Sequence, residues 1–234
     1  MQHLLMFDVD GTLVDSAAME NICFPQACEE ALGLNSISTD WASYRTPSDS
    51  GVVAELVERH FGRVATAADL ERVEQRFYSL LQATYGARPE HCREIAGALV
   101  AFEGARRLPD TVVAIATAGL LTTAKLRLTL AGFEIGEIEI TSSNDAPAKL
   151  DVMRIAHERA RARAGVARFG SVTYLGDSIG DRRAAAELAF DFIAIGTSGL
   201  VRDHDPCFPT FADWDAVSHR ILANRKSRLD GVHI

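Results

Sequence analysis

The sequence has few of the features that mark secreted, membrane-spanning or nucleic-acid-binding proteins. Its four cysteines form no C-x-x-C pair and have no histidine placed as in a zinc site, so we expect reduced thiols in a cytoplasmic protein. No apolar run is as long as a transmembrane helix, and the N-terminal residues do not resemble a secretory signal. A formal net charge of −8 argues against nucleic acid and anionic membranes as partners.

Short apolar runs that end in turn residues recur along the chain and alternate with helical patterns. Leu4 to Phe7 is typical of a buried strand, and Leu126, Leu130 and Phe133 lie at helical spacing. Three further segments are predicted strands with their following turns: "TVVAIATAG" (111–119), "SVTYLGDSIGD" (171–181) and "DFIAIGTSG" (191–199). Alternation of this kind predicts an α/β fold with a Rossmann-like parallel sheet.

The segment from residue 15 to residue 95 departs from this alternation, and we find no convincing strand in it. A first helical pattern is interrupted by Pro25, a second has Ser48 as N-cap and ends at Gly62, and a third begins at Thr66. We therefore expect an all-helical cap domain over residues 15–95, inserted after the first strand of a catalytic core formed by residues 1–14 and 96–234.

The stretch "LLMFDVDGTLVDS" places two aspartates at the end of the first strand. Open α/β sheets bind ligands at the carboxyl ends of their strands, and residues two apart on a strand point the same way. Asp8 and Asp10 can therefore address one site, and Gly11 lets the chain turn sharply after them. The alternative is an ordinary turn, in which Asp and Gly are common for local reasons.

Four motifs together carry a resemblance to a known family: "DVDGTLVDS", "IATAG", Lys149 and "GDSIGD", in this order along the chain. The sequence resembles the haloacid dehalogenase superfamily of phosphotransferases. The helical insertion after the first motif is similar to that of its phosphoglycolate phosphatase and beta-phosphoglucomutase branch. The resemblance implies a Mg²⁺-dependent phosphatase that acts through an aspartyl-phosphate.

The chemistry of phosphoryl transfer agrees with the carboxylates in these motifs. Asp8 is the candidate nucleophile, and Asp10 is the candidate general acid and base. A Mg²⁺ ion would offset their charge; Asp8 and Asp177 are candidate side-chain ligands, and the resemblance adds the backbone carbonyl of Asp10. Asp181 is a candidate to ligate the ion or orient its waters, or else a carboxylate that stabilises a helix N-terminus.

The remaining core motifs supply contacts to the phosphate. Lys149 would neutralise the nucleophile and the phosphate, and Thr117 resembles the hydroxyl residue of the family that hydrogen-bonds the phosphate. The family often has Asn after this residue, whereas this chain has Ala118, which leaves only a backbone amide. Gly11 and Thr12 are further candidate phosphate-binding residues.

In the cap, "YRTPSDSG" is the candidate specificity loop. Arg45 could bind the part of the substrate away from phosphorus, with Thr46 and Asp49 nearby as hydrogen-bonding residues. The alternative is an ordinary capping turn before the next helix.

We thus expect hydrolysis of a small phosphorylated metabolite, with a beta-phosphoglucomutase-like mutase or a non-catalytic phosphometabolite-binding protein as alternatives. No lysine precedes Lys125, which weakens the mutase interpretation and excludes the cap lysine that a phosphonoacetaldehyde hydrolase needs. Asp10 argues against a dehalogenase, and the large cap argues against a receiver-type signalling domain. The sequence gives no indication of the oligomeric state.

Overall fold

The fold is built on one six-stranded sheet in which every neighbouring pair of strands is parallel. The computed structural model describes residues 1–88, 92–196 and 206–230. The strand order is β5-β4-β1-β6-β7-β8. In chain order, the strands of this sheet and of a second, two-stranded sheet (β2 and β3) are β1 His3–Phe7, β2 Val14–Asp15, β3 Arg93–Glu94, β4 Thr111–Ala116, β5 Glu139–Thr141, β6 Ser171–Gly176, β7 Asp191–Ile195 and β8 Cys207–Phe208.

Helices cover both faces of the large sheet. They are α1 Ala17–Leu32, α2 Asp49–Phe61, α3 Ala67–Ala87, α4 Ala98–Arg107, α5 Leu121–Leu130, α6 Lys149–Ala164, α7 Ile179–Glu187 and α8 Trp214–Asp230. Side chains of β1 alternate between two apolar clusters: Leu5 and Phe7 join the one that includes α4, while Leu4 and Met6 join the one that includes α6. The prediction of an α/β fold with a parallel sheet is confirmed.

Along the chain, helices α1, α2 and α3 follow the first strand and precede the other strands of the large sheet, as the sequence predicted. Ser48 caps α2 through the backbone N–H of Gly51, and Thr66 forms a capping box with Asp69 at the start of α3. Gly62 ends α2 in the left-handed conformation. The apolar faces of these helices join the same cluster as Phe7. The division into core and cap domains stays a prediction.

Two expectations for this segment are wrong. Helix α1 runs without a break through Pro25, because packing of Phe24 and Ala27 in the apolar cluster compensates for the backbone hydrogen bond that proline removes. The segment also contains strand residues: β2 and β3 pair antiparallel, with Asp15 opposite Arg93. Strands of two residues have too few positions to show an alternating pattern.

The expected apolar face of α5 is also partly wrong. Leu130 is 41% exposed, whereas Ala124, Arg127 and Leu128 are fully buried. Phe133 is buried and Leu126 packs against the core as expected, but the buried face includes an arginine, which a pattern of apolar residues alone does not indicate.

Two further expectations concern the thiols and the membrane. The four cysteines, all in described positions, form no disulfide, and three of them are buried. Within the described ranges, no helix combines the length and the apolar character that crossing a bilayer requires. The turn expected at residues 197–199 lies outside the described residues.

Candidate active site

The two aspartate motifs meet because their strands are neighbours. β1 and β6 pair in parallel with Phe7 opposite Leu175, so the residues that follow them leave the sheet at the same edge. The backbone N–H of Asp8 donates to the carbonyl of Leu175 at 2.9 Å. Asp177 follows β6 directly, and Asp181 lies in the first turn of α7.

Three carboxylates form an acidic cluster at this edge. Asp8, Asp177 and Asp181 each offer an oxygen, and these oxygens lie within 4.8 Å of one another. Two glycines make room for them: a Cβ on Gly11 would lie 2.2 Å from Asp177 Oδ2, and a Cβ on Gly176 would lie 2.6 Å from Asp181 Oδ2. Gly11 also has a φ of +77°, which other residues adopt at a cost.

Lys149, the first residue of α6, inserts its ammonium into the acidic cluster. Its Nζ lies 2.6 Å from Asp8 Oδ1 and 3.0 Å from Asp181 Oδ1. Asp181 also accepts hydrogen bonds from the backbone N–H and hydroxyl of Ser178, as a helix-capping carboxylate does. One oxygen of Asp181 faces the acidic cluster and the other caps α7, so the helix-capping interpretation is confirmed and the metal role stays a prediction.

The environment disfavours three ionised carboxylates side by side. Burial, followed by repulsion from Asp181 and Asp177, raises the pKa of Asp8 well above its ordinary value in spite of Lys149. Burial and Asp181 raise the pKa of Asp177 to about 7. Burial lowers the pKa of Lys149, but Asp181 and Asp8 outweigh it, so the net shift is upward and the lysine stays charged.

This donor set fits a divalent cation. Carboxylate oxygens are the ligands that Mg²⁺ prefers, and the positive charge of Lys149 alone does not offset three negative groups. Asp8, Asp177 and Asp181 would hold the ion.

Asp10 points into a second group of charges that the motifs did not indicate. The hydroxyl of Ser16 donates to Asp10 Oδ1, and Arg127 Nη2 lies 3.1 Å from Asp10 Oδ2. Arg127 also binds Glu20 of α1 through Nη1, at 2.6 Å. The arginine is fully buried, and its guanidinium carbon lies 5.7 Å from the centroid of the Phe77 ring. We call Arg127 and its two carboxylates the arginine cluster.

Thr117 and its neighbours lie in a loop after β4. Thr117 is buried, and its hydroxyl accepts a hydrogen bond from the backbone N–H of Gly119 at 3.0 Å. The carbonyl of Ala118 accepts from the backbone N–H of Asp49 at 3.0 Å. Thr12 is buried beside the first motif, and its hydroxyl has no hydrogen-bond partner within the described part of the chain.

The N-terminus of α2 is docked on the core at this point. Asp49 Oδ2 accepts a hydrogen bond from the backbone N–H of Leu120 at 3.0 Å. Ser50 Oγ donates to the carbonyl of Ser143 at 2.7 Å, and Ser48 Oγ donates to the carbonyl of Pro147. Burial raises the pKa of Asp49 to about 7 although Arg127 lowers it. The structure thus brings Asp49 next to the loop that holds Thr117.

Arg45 and Thr46 lie elsewhere. Arg45 is 66% exposed at its side chain and pairs with Glu55 and Glu58. Together with Thr46 and Pro147 it lines a cleft of about 560 Å³ to which none of the motif aspartates contributes. The structure does not place Arg45 beside Asp8, and its role in substrate binding stays a prediction.

Arg127 and Glu20 are the residues of this region that the sequence analysis missed. A helical arginine is usually solvated, so nothing local distinguished Arg127 from its neighbours. The available signal was its position: Arg127 follows Ala124 by three residues and precedes Ala131 by four, on the face that is buried.

Solved structures provide a comparison for this arrangement, whereas no family model and no curated protein matches the chain. A haloacid dehalogenase-like hydrolase from Streptococcus pneumoniae is 19% identical, with 93% of this chain and 98% of that one covered and a TM-score of 0.52. A protein described as a predicted phosphoglycolate phosphatase, from Haemophilus somnus, is 16% identical, with coverage of 92% and 97% and a TM-score of 0.60.

A third similar structure is beta-phosphoglucomutase from Clostridium difficile. It is 11% identical, covers 94% of this chain and 96% of its own, and superposes with a TM-score of 0.64. In all three comparisons the similarity covers nearly the whole of both chains. At such low sequence identity it shows a shared backbone fold. The chain therefore has the fold of the haloacid dehalogenase-like hydrolases.

Proposed function

We propose that the protein is a Mg²⁺-dependent phosphatase that hydrolyses a small phosphorylated metabolite through an aspartyl-phosphate on Asp8. The observation that carries the proposal is the position of Lys149 Nζ, which touches both Asp8 and Asp181 at a strand edge where Asp177 completes the acidic cluster. With a divalent cation held by the three carboxylates, the site would carry enough positive charge beside Lys149 to accept a dianionic phosphate. The bound Mg²⁺ would supply positive charge to the phosphoryl oxygens.

In the first step, a carboxylate oxygen of Asp8 attacks phosphorus and the bond from phosphorus to the ester oxygen breaks. Asp10 gives its proton to the departing oxygen, so the leaving group departs as an alcohol. Lys149 already contacts Asp8 Oδ1, where it offsets the charge that gathers as the phosphate approaches. The hydroxyl of Thr117 and the backbone N–H of Ala118 are the proposed donors to the phosphoryl oxygens.

In the second step, water attacks the phosphorus of the aspartyl-phosphate and Asp10 takes a proton from it. The bond from phosphorus to the Asp8 oxygen breaks, which restores the carboxylate and releases inorganic phosphate. The contacts from Ser16 and Arg127 hold the Asp10 carboxyl in one orientation for both proton transfers.

Hydrolysis of p-nitrophenyl phosphate by the purified protein tests this proposal. We expect turnover that appears on addition of Mg²⁺ and is abolished by excess chelator. Full turnover in chelator, with the metal content measured and shown to be nil, would contradict the metal requirement. Phosphate binding without any turnover would favour the non-catalytic alternative.

A phosphomutase is the second candidate, and the observation in its favour is the likeness to beta-phosphoglucomutase over 94% of the chain. A mutase moves the phosphoryl group within a sugar and releases little inorganic phosphate. ³¹P NMR of a hexose 1-phosphate incubated with the protein separates the two functions, because hydrolysis yields inorganic phosphate and the mutase reaction yields a hexose 6-phosphate.

A further inference from the structure

Helix α5 begins without a capping side chain of its own. It follows the loop of residues 117–120, which holds the proposed phosphate donors Thr117 and Ala118 and which we call the phosphate loop. The N-cap residue of α5 is Leu120, whose side chain makes no capping hydrogen bond. Because the first backbone N–H groups of a helix have no partner within the helix, they need acceptors from other segments.

Two carboxyl groups of the helical segment (residues 15–95) supply such acceptors. Asp49 Oδ2, at the start of α2, accepts from the backbone N–H of Leu120 at 3.0 Å. Glu74 Oε1, on α3, accepts from the backbone N–H of Thr122 at 2.9 Å and from its hydroxyl at 2.7 Å. Carboxyl groups at this end of a helix satisfy the N–H groups and, when ionised, also complement the helix dipole.

Asn144 completes the set of acceptors. Its Oδ1 accepts from the backbone N–H of Leu121 and its Nδ2 donates to Glu74 Oε2, both at 2.7 Å. Three successive N–H groups, those of residues 120–122, are thus bound by side chains from three other segments. The N-terminus of α5 therefore binds the protein's own side chains in the way that other helix N-termini bind a phosphate.

Asp49 holds the phosphate loop on both sides of Gly119. Its backbone N–H donates to the carbonyl of Ala118 at 3.0 Å, while its carboxyl group accepts from Leu120. Within the loop, Thr117 Oγ1 accepts from the N–H of Gly119, so the hydroxyl proton of Thr117 can be donated to a phosphoryl oxygen. Burial raises the pKa of Asp49 to about 7, but a carboxyl group accepts a hydrogen bond in either protonation state.

Resting on the proposed phosphatase function, we propose that Asp49 and Glu74 are positioning residues for phosphate binding. They cap α5 from the helical segment and so hold Thr117 and Ala118 where these residues donate to the phosphoryl group. This role differs from the hydrogen bond to the substrate that the sequence indicated for Asp49, because both residues act through the backbone of the core. A variant that loses a capping contact is therefore expected to bind phosphate less tightly.

Inhibition by inorganic phosphate tests this role, because phosphate has no tail that a specificity residue could contact. With p-nitrophenyl phosphate and Mg²⁺, Asp49→Ala should raise both KM and the inhibition constant of phosphate about three- to tenfold, as expected for one lost hydrogen bond. The value of kcat should change less, since uniform binding of substrate and transition state affects KM alone. A loss of folded protein would instead lower kcat at unchanged KM.

Matched variants separate the hydrogen bonds from other effects. Asp49→Asn keeps an acceptor oxygen and should restore most of the affinity for phosphate that Asp49→Ala loses. Glu74→Ala should weaken inhibition about two- to threefold, because Glu74 is only half-buried and lies farther from the phosphate loop. Glu71→Ala, at an exposed position of the same helix, should leave inhibition unchanged. Unchanged inhibition in both Asp49→Ala and Glu74→Ala would overturn the positioning role.

Amide hydrogen exchange, measured by NMR, tests the capping contacts without turnover. The Leu120 amide should exchange about three- to tenfold faster in Asp49→Ala, and the Thr122 amide should do so in Glu74→Ala. Unchanged exchange at both amides would overturn the capping and the role that depends on it. If the parent protein does not turn over p-nitrophenyl phosphate with Mg²⁺, the phosphatase function itself is wrong and the positioning role falls with it, even where exchange confirms the capping.

Discussion

Two buried cations occupy comparable positions in this molecule. Lys149 binds Asp8 and Asp181, and Arg127 binds Asp10 and Glu20, so each aspartate of the first motif has its own cation and shares it with one other carboxylate. The physical reason is the same in both cases, because a buried carboxylate needs a partner to stay charged.

The two pairs differ in what they connect. Lys149, on α6, joins Asp8, which follows β1, to Asp181 of α7. These three elements belong to the large sheet and the helices that cover it. Arg127 joins the β1 edge to α1, which lies in the helical insertion. The first pair therefore lies within the sheet and its covering helices, while the second ties the candidate reaction centre to the helical segment. Variants of both pairs can test this distinction.

The largest effect is expected for Asp8→Asn. The amide nearly preserves the shape of the carboxylate but is no nucleophile, so we expect kcat for p-nitrophenyl phosphate with Mg²⁺ to fall at least about a thousandfold. Circular dichroism should show an unchanged fold. Asp151→Asn, at a partly exposed position of α6 where the carboxylate pairs with Arg154, is the control and should retain full activity. A variant that keeps a tenth of the original rate would show that Asp8 is not the nucleophile.

The next effect separates Asp10 from Asp8. An alkoxide is a poor leaving group that needs a proton, so Asp10→Asn should slow the first step by roughly 10²–10⁴ for an alkyl phosphate. Dinitrophenyl phosphate has an acidic leaving group and should be much less affected in that step. Its second step still lacks a base, so phosphoenzyme should accumulate after a burst. Single-turnover rates with both esters measure this; equal slowing without a burst would argue that Asp10 is not the acid.

Loss of Arg127 should mainly reduce stability. Arg127→Met leaves Asp10 and Glu20 without their cation, and breaking a buried ion pair in this way costs about 3–5 kcal/mol of the free energy of unfolding. Arg45→Met is the matched control, because Arg45 also binds two glutamates but its side chain is 66% exposed, where ion pairs add little to stability.

Urea unfolding measures both arginine variants. The double variant Arg127→Met with Glu20→Gln should recover part of the lost stability, since it removes one of the two stranded charges. Equal destabilisation by Arg127→Met and Arg45→Met would mean that burial gives Arg127 no special role. A single variant too unstable to purify would be consistent with the prediction only if the double variant is recovered folded.

The smallest effect is expected at a carboxylate outside both pairs. Hydrogen bonds from Arg63 and the Thr66 backbone hold the pKa of Asp69 well below its usual range. Because folding lowers the pKa of Asp69, its contribution to stability is complete above the pKa that Asp has in the unfolded chain, about 4. That contribution is progressively lost as the pH falls below this value. Asp69→Asn should cost about 1 kcal/mol at neutral pH, as for other helix-capping residues.

Urea unfolding at pH 7 and at pH 3 tests the sign of this effect. The difference between the parent protein and Asp69→Asn should shrink at the lower pH. Glu71→Gln, at an exposed position of the same helix, is the control and should show little effect at either pH. A difference that grows with acid would contradict the assignment.

Local sequence patterns were enough to predict the strands that carry the motifs and the order in which they occur. Four apolar residues before Asp-x-Asp-Gly, and the β-branched and aromatic segment SVTYL before Gly-Asp, each indicate a strand and its end through local preferences. The N-caps at Ser48 and Thr66 and the stop at Gly62 are equally local, because each depends on contacts within four residues. Local preferences place Asp8, Asp10 and Asp177 just after strands, whereas Lys149 was named on the resemblance to a family, and the roles of all four stay predictions.

Tertiary structure alone decided which charges share a buried space. Arg127 and Asp10 are 117 residues apart, and nothing near either one indicates the other. The same holds for the passage of α1 through Pro25, which packing against the apolar cluster makes tolerable. A buried ion pair is stable only where two distant segments exclude water together, so its partners follow from the packing of the chain and not from the pattern of residues along it.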